Sequence, residues 1–384
     1  MDLLPDPFRT IIAFAVVLGV LVFVHELGHY FAARWRGVHV EAFSIGFGRS
    51  LWAWTDRRGT SWRVGWIPLG GYVKLHGQEH PAGEIPPEER AHYRPGETFH
   101  DKPVRDRAIV VAAGPIANFL LAMVLFAALF GTAGMPRSSA VIGAVMEGSA
   151  AERAGLKPGD RILALDAEPV ARFEDVQRYV QARPGVPITI RVRRGGGETA
   201  ATGAGADRGG EELTLRAVPE AQNGSPKGVG VLGIRGGAVE YERLDPIRAV
   251  AAGVTYTFDV TGQTLAGVWQ MIAGERGTEE LGGPLRIAQL SGQVAEMGWT
   301  SLVSFIAVLS VNLALINLFP IPILDGGHLL FYAAEALRGR PLPPRAQEIG
   351  LRAGFALLIT LFVFATWNDL AQWGVFNWIA GIVG

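Results

Sequence analysis

Four apolar runs, at about 8–32, 108–131, 302–324 and 352–374, constrain this chain more than any other feature of it. Each is long enough to cross a bilayer as a helix, for which ~20 apolar residues suffice. Hydrophobic residues make up 49% of the 384 and charged ones only 18%, and their concentration into such runs implies a polytopic α-helical membrane protein of about four transmembrane helices. In lipid, a polar side chain on a spanning helix is costly unless it serves a site. The first run carries three ionisable groups together, in His25-Glu26-Leu27-Gly28-His29. That run is not read as a secretory signal, because it has almost no basic n-region and no small-residue cleavage site before Arg34 and Arg36.

On a helix, histidines four residues apart project from one face and can bind a single zinc ion. Glu26 beside them is placed not as a ligand but to take a proton from a water that the metal activates, so the pattern points to metal-assisted hydrolysis. The bland alternative, a surface helix with two solvated histidines, leaves the intramembrane charges without a purpose. The chain has no cysteine, which excludes disulfides, thiolate metal sites and a cysteine nucleophile. Zinc must then be held by nitrogen and oxygen. A net charge of −1 gives no sign of a nucleic-acid partner.

Two histidines leave zinc one protein ligand short, and topology narrows the search for the third. The segment between the first two runs is rich in arginine and lysine, as is the segment carrying Arg338, Arg340, Arg345 and Arg352, so both are expected on the cytoplasmic side. Both chain ends and the long 132–301 region then lie outside, and the first and third runs end on the same, cytoplasmic, side. There stands Asn317-Leu318-Phe319-Pro320-Ile321-Pro322-Ile323-Leu324-Asp325-Gly326-Gly327, and Asp325 is the only carboxylate between Glu296 and Glu335. Pro320 and Pro322 break the helix, and Gly326 and Gly327 permit a tight turn that aims Asp325 into the bundle. Asp325 is read as the third ligand, against an aspartate that only caps or snorkels. Asn317 lies deeper, where its amide suits a substrate carbonyl or a developing oxyanion, or serves as helix glue. His328 is left without an assigned role.

Residues 38–43 and 61–75 alternate as strands, broken by Gly46, Gly48, Arg58-Gly59 and Gly70-Gly71, and predict a β-hairpin at the membrane surface. It suits either an edge strand that pairs with an unwound substrate or an element that plugs the catalytic face. Residues 76–106 read as a flexible loop with His76, His80, His92 and His100 solvated. In the second run, Gly114-Pro115-Ile116-Ala117-Asn118 allows close helix approach and irregular backbone, with Asn118 either helix glue or a support behind the site. From Ser139 the pattern is that of a water-soluble domain. Strands are expected at 141–145, 161–165, 188–193 and 213–218, helices at 150–155 and 173–182, and a mobile hairpin tip at 195–210. Another strand follows at 228–234. An amphipathic helix at 246–272 then lies against the outer leaflet or the bundle, before a break at 281–284.

The stretch Ser149-Ala150-Ala151-Glu152-Arg153-Ala154-Gly155-Leu156-Lys157-Pro158-Gly159-Asp160-Arg161-Ile162-Leu163 resembles the signature of bacterial PDZ domains. That resemblance implies a groove for peptide C-termini, or a domain that shields the membrane site. HExxH in a first span, GPxxN in a second, a PDZ-like outward domain and NxxPxPxLDGG in a third together resemble the site-2 protease family of intramembrane zinc metalloproteases, RseP type. The resemblance covers essentially the whole chain. It implies His25, His29 and Asp325 as Zn2+ ligands, Glu26 as catalytic acid/base and Asn317 as a substrate-positioning residue. It also implies substrate binding along the 61–75 hairpin, at Gly70, Gly71 and Tyr72. Gly114, Pro115, Asn118, Pro320, Pro322, Gly326 and Gly327 are left to support the site. The implied substrates are single-span membrane proteins already trimmed by another protease, such as anti-sigma factors, and signal-peptide remnants. One departure is a single PDZ signature where the best-known type has two.

The expected layout is a first transmembrane helix at 1–34, a cytoplasmic segment with the hairpin at 35–107, and a second helix at 108–131. A periplasmic PDZ-like α+β domain at 132–220 and a post-PDZ region at 221–300 follow. A third helix at 301–327 precedes a cytoplasmic loop and fourth helix at 328–384. The expected location is the bacterial inner membrane, with the active site toward the cytoplasm. Two other functions fit less of the sequence. A membrane-anchored PDZ adaptor with a non-catalytic zinc site has no use for Glu26, and a metal transporter is expected to show an internal repeat.

Overall fold

The computed structural model describes residues 7–78, 94–195, 210–221, 229–237, 239–275, 277 and 282–374. The chain forms two compact units, Thr132–Leu244 and the remainder on either side of it. The larger unit begins with helix α1 (Pro7–Trp35), strands β1 (Val40–Thr55) and β2 (Ser61–Leu75), and helix α2 (Val104–Thr132). The two strands are longer than a simple hairpin needs, because they double back on each other. Residues 42–45 of β1 pair with 71–74 on one side and with 61–64 on the other, while 50–55 pair with 61–65. Gly46 and Gly48 take positive φ where β1 bends, and a Cβ at Gly46 would meet Ile67 O at 2.6 Å. The segment 71–75 is thereby left as an outer edge of the sheet.

Residues 94–103 differ from the solvated loop expected there. Phe99 is buried among Tyr30, Val38, Phe43 and Val110. His76 is buried as well, 2.7 Å from Glu41 Oε1 through Nδ1, while its Nε2 accepts from the Arg94 N–H at 3.0 Å. Two good partners remove the reason for that ring to seek water. Burial, with the Arg94 guanidinium beside it, holds the neighbouring His39 below the usual imidazole range. His100 is half-buried, 2.9 Å from Gln78 O, and His80 and His92 lie outside the described residues.

The smaller unit holds β3 (Met135–Ser138), β4 (Ile142–Val145), α3 (Ala150–Arg153), β5 (Arg161–Leu165), β6 (Glu168–Pro169), α4 (Phe173–Gln181), β7 (Ile188–Arg194), β8 (Glu211–Ala217), β9 (Glu220–Ala221), β10 (Gly230–Val231), β11 (Ile234–Gly236) and β12 (Val239–Glu242). Its sheet runs β6-β5-β7-β8, with β11 on β4 and β12 on β3 as separate pairs. Alternating residues Ile162, Ile188, Ile190 and Val192 fill a core with Leu156, Val176 and Leu232. The strand expected at 228–234 is split into β10 and β11, because Gly233 takes positive φ between them; residue 228 lies outside the described residues. Most of the expected hairpin tip, 196–209, lies outside them too. The pairing of β11 and β12 back onto β4 and β3 carries this unit to Leu244, past the expected 220.

The chain then returns through α5 (Pro246–Ile272), α6 (Pro284–Glu296), α7 (Trp299–Leu318), α8 (Asp325–Arg338) and α9 (Pro344–Gln372). Among the described residues four helices, α1, α2, α7 and α9, are long and apolar enough to cross a membrane. The third run ends as a helix at Leu318, because Phe319 precedes Pro320 and is forced into extended backbone. Residues 325–338, read from sequence as the turn and a cytoplasmic loop, form α8 instead. An acidic residue opens its first turn, Arg338 closes its last, and Gly339 stops it at φ 69, which are ordinary helix signals.

Small residues bring the helices together. A Cβ at Gly28 would overlap Ala113 O of α2, one at Gly292 of α6 would overlap Thr10 of α1, and one at Gly354 of α9 would overlap Pro322 O. At the far end of α9 the buried Asp369 carboxylate accepts from Gly283 N–H at 2.9 Å and Arg286 N–H at 3.1 Å, capping α6 from another helix. Asp369→Ala is therefore expected to lower bundle stability by about 2–3 kcal/mol, since it strands buried donors, as read by reversible denaturation in detergent micelles.

Candidate metal centre

The HExxH helix places both imidazoles on the face of α1 that meets α2. A Cβ at Gly114 would overlap His29 Nε2 and approach His25 Cε1 at 2.9 Å, so only glycine leaves room there for the two rings. Pro115 lacks the N–H that would otherwise bond Val111 O, and the α2 ladder opens at this point. One residue earlier, Val110 O takes a hydrogen bond from His29 Nδ1 at 2.8 Å. That bond fixes the proton on Nδ1 and leaves the Nε2 lone pair facing into the site.

His25 is oriented in the same way. As placed, Nδ2 of the buried Asn118 amide lies 3.3 Å from its Nδ1, and a half-turn of the amide exchanges Nδ2 and Oδ1. With the amide turned so that Oδ1 faces the ring, His25 Nδ1–H donates to it, and an oxygen otherwise buried without a partner is satisfied. The Asn118 backbone carbonyl accepts from Ser310 Oγ at 2.8 Å, which ties this part of α2 to α7.

Asp325 arrives from the other side at the first position of α8. Its Oδ2 is 3.1 Å from His25 Nε2 and 3.5 Å from His29 Nε2, and the two Nε2 atoms are 3.2 Å apart. Oδ2 is buried and has no hydrogen-bond donor. With both Nδ1 atoms protonated, these three atoms are all lone-pair acceptors turned on one point. Such a set is unstable without a cation, and two imidazoles with one carboxylate are a zinc donor set that leaves a fourth position open. Among the described residues they form the one group of three ionisable side chains able to hold a metal ion.

The turn that delivers Asp325 is tight. Gly326 and Gly327 lie so close to Leu318 O, Phe319 O and Ile321 O that a side chain on either would overlap them. Ile323 has φ 98, a region that β-branched residues avoid, at a cost of about 1–3 kcal/mol. Pro320 and Pro322 set the path of this turn, and Pro322 O packs on Gly354.

Glu26 lies beside the donor set. Its carboxylate meets the Val73 N–H on the outer edge segment of the sheet, and a Cβ at Gly71 would stand 3.3 Å from Glu26 Cγ. Gly70 takes φ 81 under the Phe47 ring, and Tyr72 stacks on that ring at 6.2 Å between centroids. Asn317 is half-buried on the last turn of α7. Sequence reasoning missed the Val110 carbonyl and the Val73 N–H, which are backbone groups with no residue signature.

Two imidazoles and a carboxylate turned on one point, with a second carboxylate alongside and inside a bundle built to span a membrane, define a membrane-embedded metallohydrolase. Comparison with known proteins points to the same class. The model of "Peptidase family M50" matches residues 13–361. A Rhizobium meliloti (strain 1021) protein named as a candidate zinc metalloprotease is 43% identical, over 99% of this chain and all of the relative. Metalloprotease MmpA of Caulobacter vibrioides is 38% identical, over 97% of this chain and 98% of its own length. Regulator of sigma-E protease RseP of Salmonella typhimurium is 30% identical, over 94% and 98%. The chain belongs to peptidase family M50, the site-2 protease family, and is a zinc metalloprotease.

Two substitutions probe the support behind the donors. Gly114→Val is expected to displace His29 and leave the purified protein without stoichiometric zinc. Asn118→Ala is expected to weaken zinc binding by about 10–100-fold, as read by competition with a chromophoric chelator.

Proposed function

We propose that this protease cleaves peptide bonds within transmembrane segments of single-span proteins already trimmed on the outer side, in regulated intramembrane proteolysis. The observation that carries the proposal is the convergence of Asp325 Oδ2 on His25 Nε2 and His29 Nε2 beside Glu26, the last three on α1, a helix long and apolar enough to lie in the bilayer. In this reading His25, His29 and Asp325 hold the zinc. Zinc bound there supplies Lewis acidity toward the scissile carbonyl and toward water. Glu26 accepts a proton from the attacking water and returns it to the leaving amine. Asn317 positions the substrate carbonyl.

A helix in lipid hides its peptide bonds in its own hydrogen bonds, so the substrate must be unwound before attack. The edge segment 71–75 supports this step. It offers backbone groups for strand addition beside Glu26, and Gly70-Gly71 lets the chain pass close to the site. The smaller unit is read as a periplasmic PDZ-like domain. Its Ser149 Oγ caps the short helix α3 by accepting from Glu152 N–H, within the stretch that resembles the PDZ signature, and the role that resemblance implies is to take peptide C-termini or to screen folded proteins. The positive-inside bias supports an inner-membrane protein whose site faces the cytoplasmic side.

The test is cleavage of an outer-domain-less single-span substrate by detergent-purified protein, with zinc measured in the same samples. Glu26→Gln is expected to abolish turnover with about one zinc retained, whereas His25→Ala and Asp325→Ala lose both zinc and turnover. Normal cleavage by Glu26→Gln would contradict the assignment of the base. Zinc in the wild type without cleavage of any of several such substrates would contradict the proteolytic reading itself.

A further inference from the structure

Helix α8 brings Asp325 to the site, yet most of α8 is only partly covered. Only Gly326 and Gly327 of this helix are fully buried. Leu330 and Leu337 are exposed, and the turn before Asp325 contains the strained Ile323. A ligand at the end of a partly covered helix, after a strained turn, needs a second anchor further along.

The far half of α8 supplies that anchor. About two turns beyond Asp325 on the same face, Tyr332 packs with Leu329 against the cluster of Tyr30, Phe99, Val110 and Val111. About one turn further, Glu335 Oε1 accepts from Arg107 Nη2 of α2 at 2.6 Å. The side chains of this pair are only 11% and 13% exposed, so it is a desolvated interaction. The Arg107 guanidinium also lies 5.0 Å over the Tyr332 ring and donates through Nε to Lys102 O at 3.1 Å, which uses its planar fork on three partners.

Arg107 shares one face of α2 with Val110, Gly114 and Asn118, since successive spacings of three or four residues keep side chains in register. Val110 O holds His29, Gly114 admits its ring and Asn118 faces His25. One helix face thus touches both elements that supply the metal donors. We propose that Arg107 and Glu335 are positioning residues for the metal centre: their ion pair, with Tyr332 beneath it, sets α8 against α2 so that Asp325 meets the two imidazoles.

The inference rests on the reading of Asp325 as a zinc ligand, and the test separates the two. Zinc affinity is measured by chelator competition on the full-length protein in detergent, with thermal unfolding followed in parallel. The variants are R107Q, E335Q, E335D and the exchange R107E/E335R, with Asp325→Ala as the reference. E335D keeps the charge but falls short of Arg107, and it stands in if a neutral variant does not fold. The expected result is a zinc affinity lower by about 10–100-fold in each folded single variant, the range typical of groups that orient metal ligands, with cooperative unfolding retained. The exchange is expected to recover most of the loss. Wild-type zinc affinity in the folded single variants, while Asp325→Ala loses zinc, would overturn the positioning role alone. Wild-type affinity in Asp325→Ala would overturn the ligand assignment beneath it.

Discussion

The catalytic half of the molecule depends on the close approach of α1 and α2. Gly28 on one helix and Gly114 on the other remove the side chains that would keep them apart. The same contact sets the His29 imidazole against the Val110 carbonyl and the His25 imidazole against Asn118. Three ionisable groups in a spanning helix are tolerable only if their polar atoms are satisfied, and these rings are satisfied on the α2 side alone. Their remaining lone pairs face Asp325, and that convergence of acceptors is what calls for a cation.

Asp325 comes from a far part of the sequence, at the end of a turn that the backbone would not adopt unaided. The glycines after it permit close contact with Leu318, Phe319 and Ile321 carbonyls, while Ile323 sits at φ 98. Strain of this kind persists where surrounding packing over-determines the conformation. The packing here comes from Pro322 against α9 on one side and from the α8 contacts with α2 on the other. The smaller unit has its own core and its own sheet, and it folds by ordinary soluble-protein rules with strand alternation and a capped helix.

Much of this was legible in the sequence, for a physical reason. Spanning helices announce themselves by length and apolarity, and α5 matches the expected 246–272 because its apolar and small residues recur with helical spacing between polar interruptions. His25 and His29 share a face by helix geometry alone, and Asp325 was found because carboxylates are scarce in that region. What escaped were features made by tertiary packing. The doubling back of β1 and β2 depends on pairings between distant residues. His76 read as solvated because its partners, Glu41 and the Arg94 N–H, have no fixed spacing from it. Helix α8 is not legible because Gly326 and Gly327, which open it, are by themselves turn residues.

The claim on which the rest stands is that His25, His29 and Asp325 share one zinc ion. The most direct measurement is zinc K-edge X-ray absorption on the purified full-length protein. The account predicts one zinc per chain, nitrogen and oxygen neighbours at about 2.0–2.2 Å, and outer-shell scattering from two imidazoles, reduced to one in the His29→Ala protein if any zinc remains. Outer-shell scattering without imidazole, or a zinc environment unchanged by His29→Ala, would contradict it.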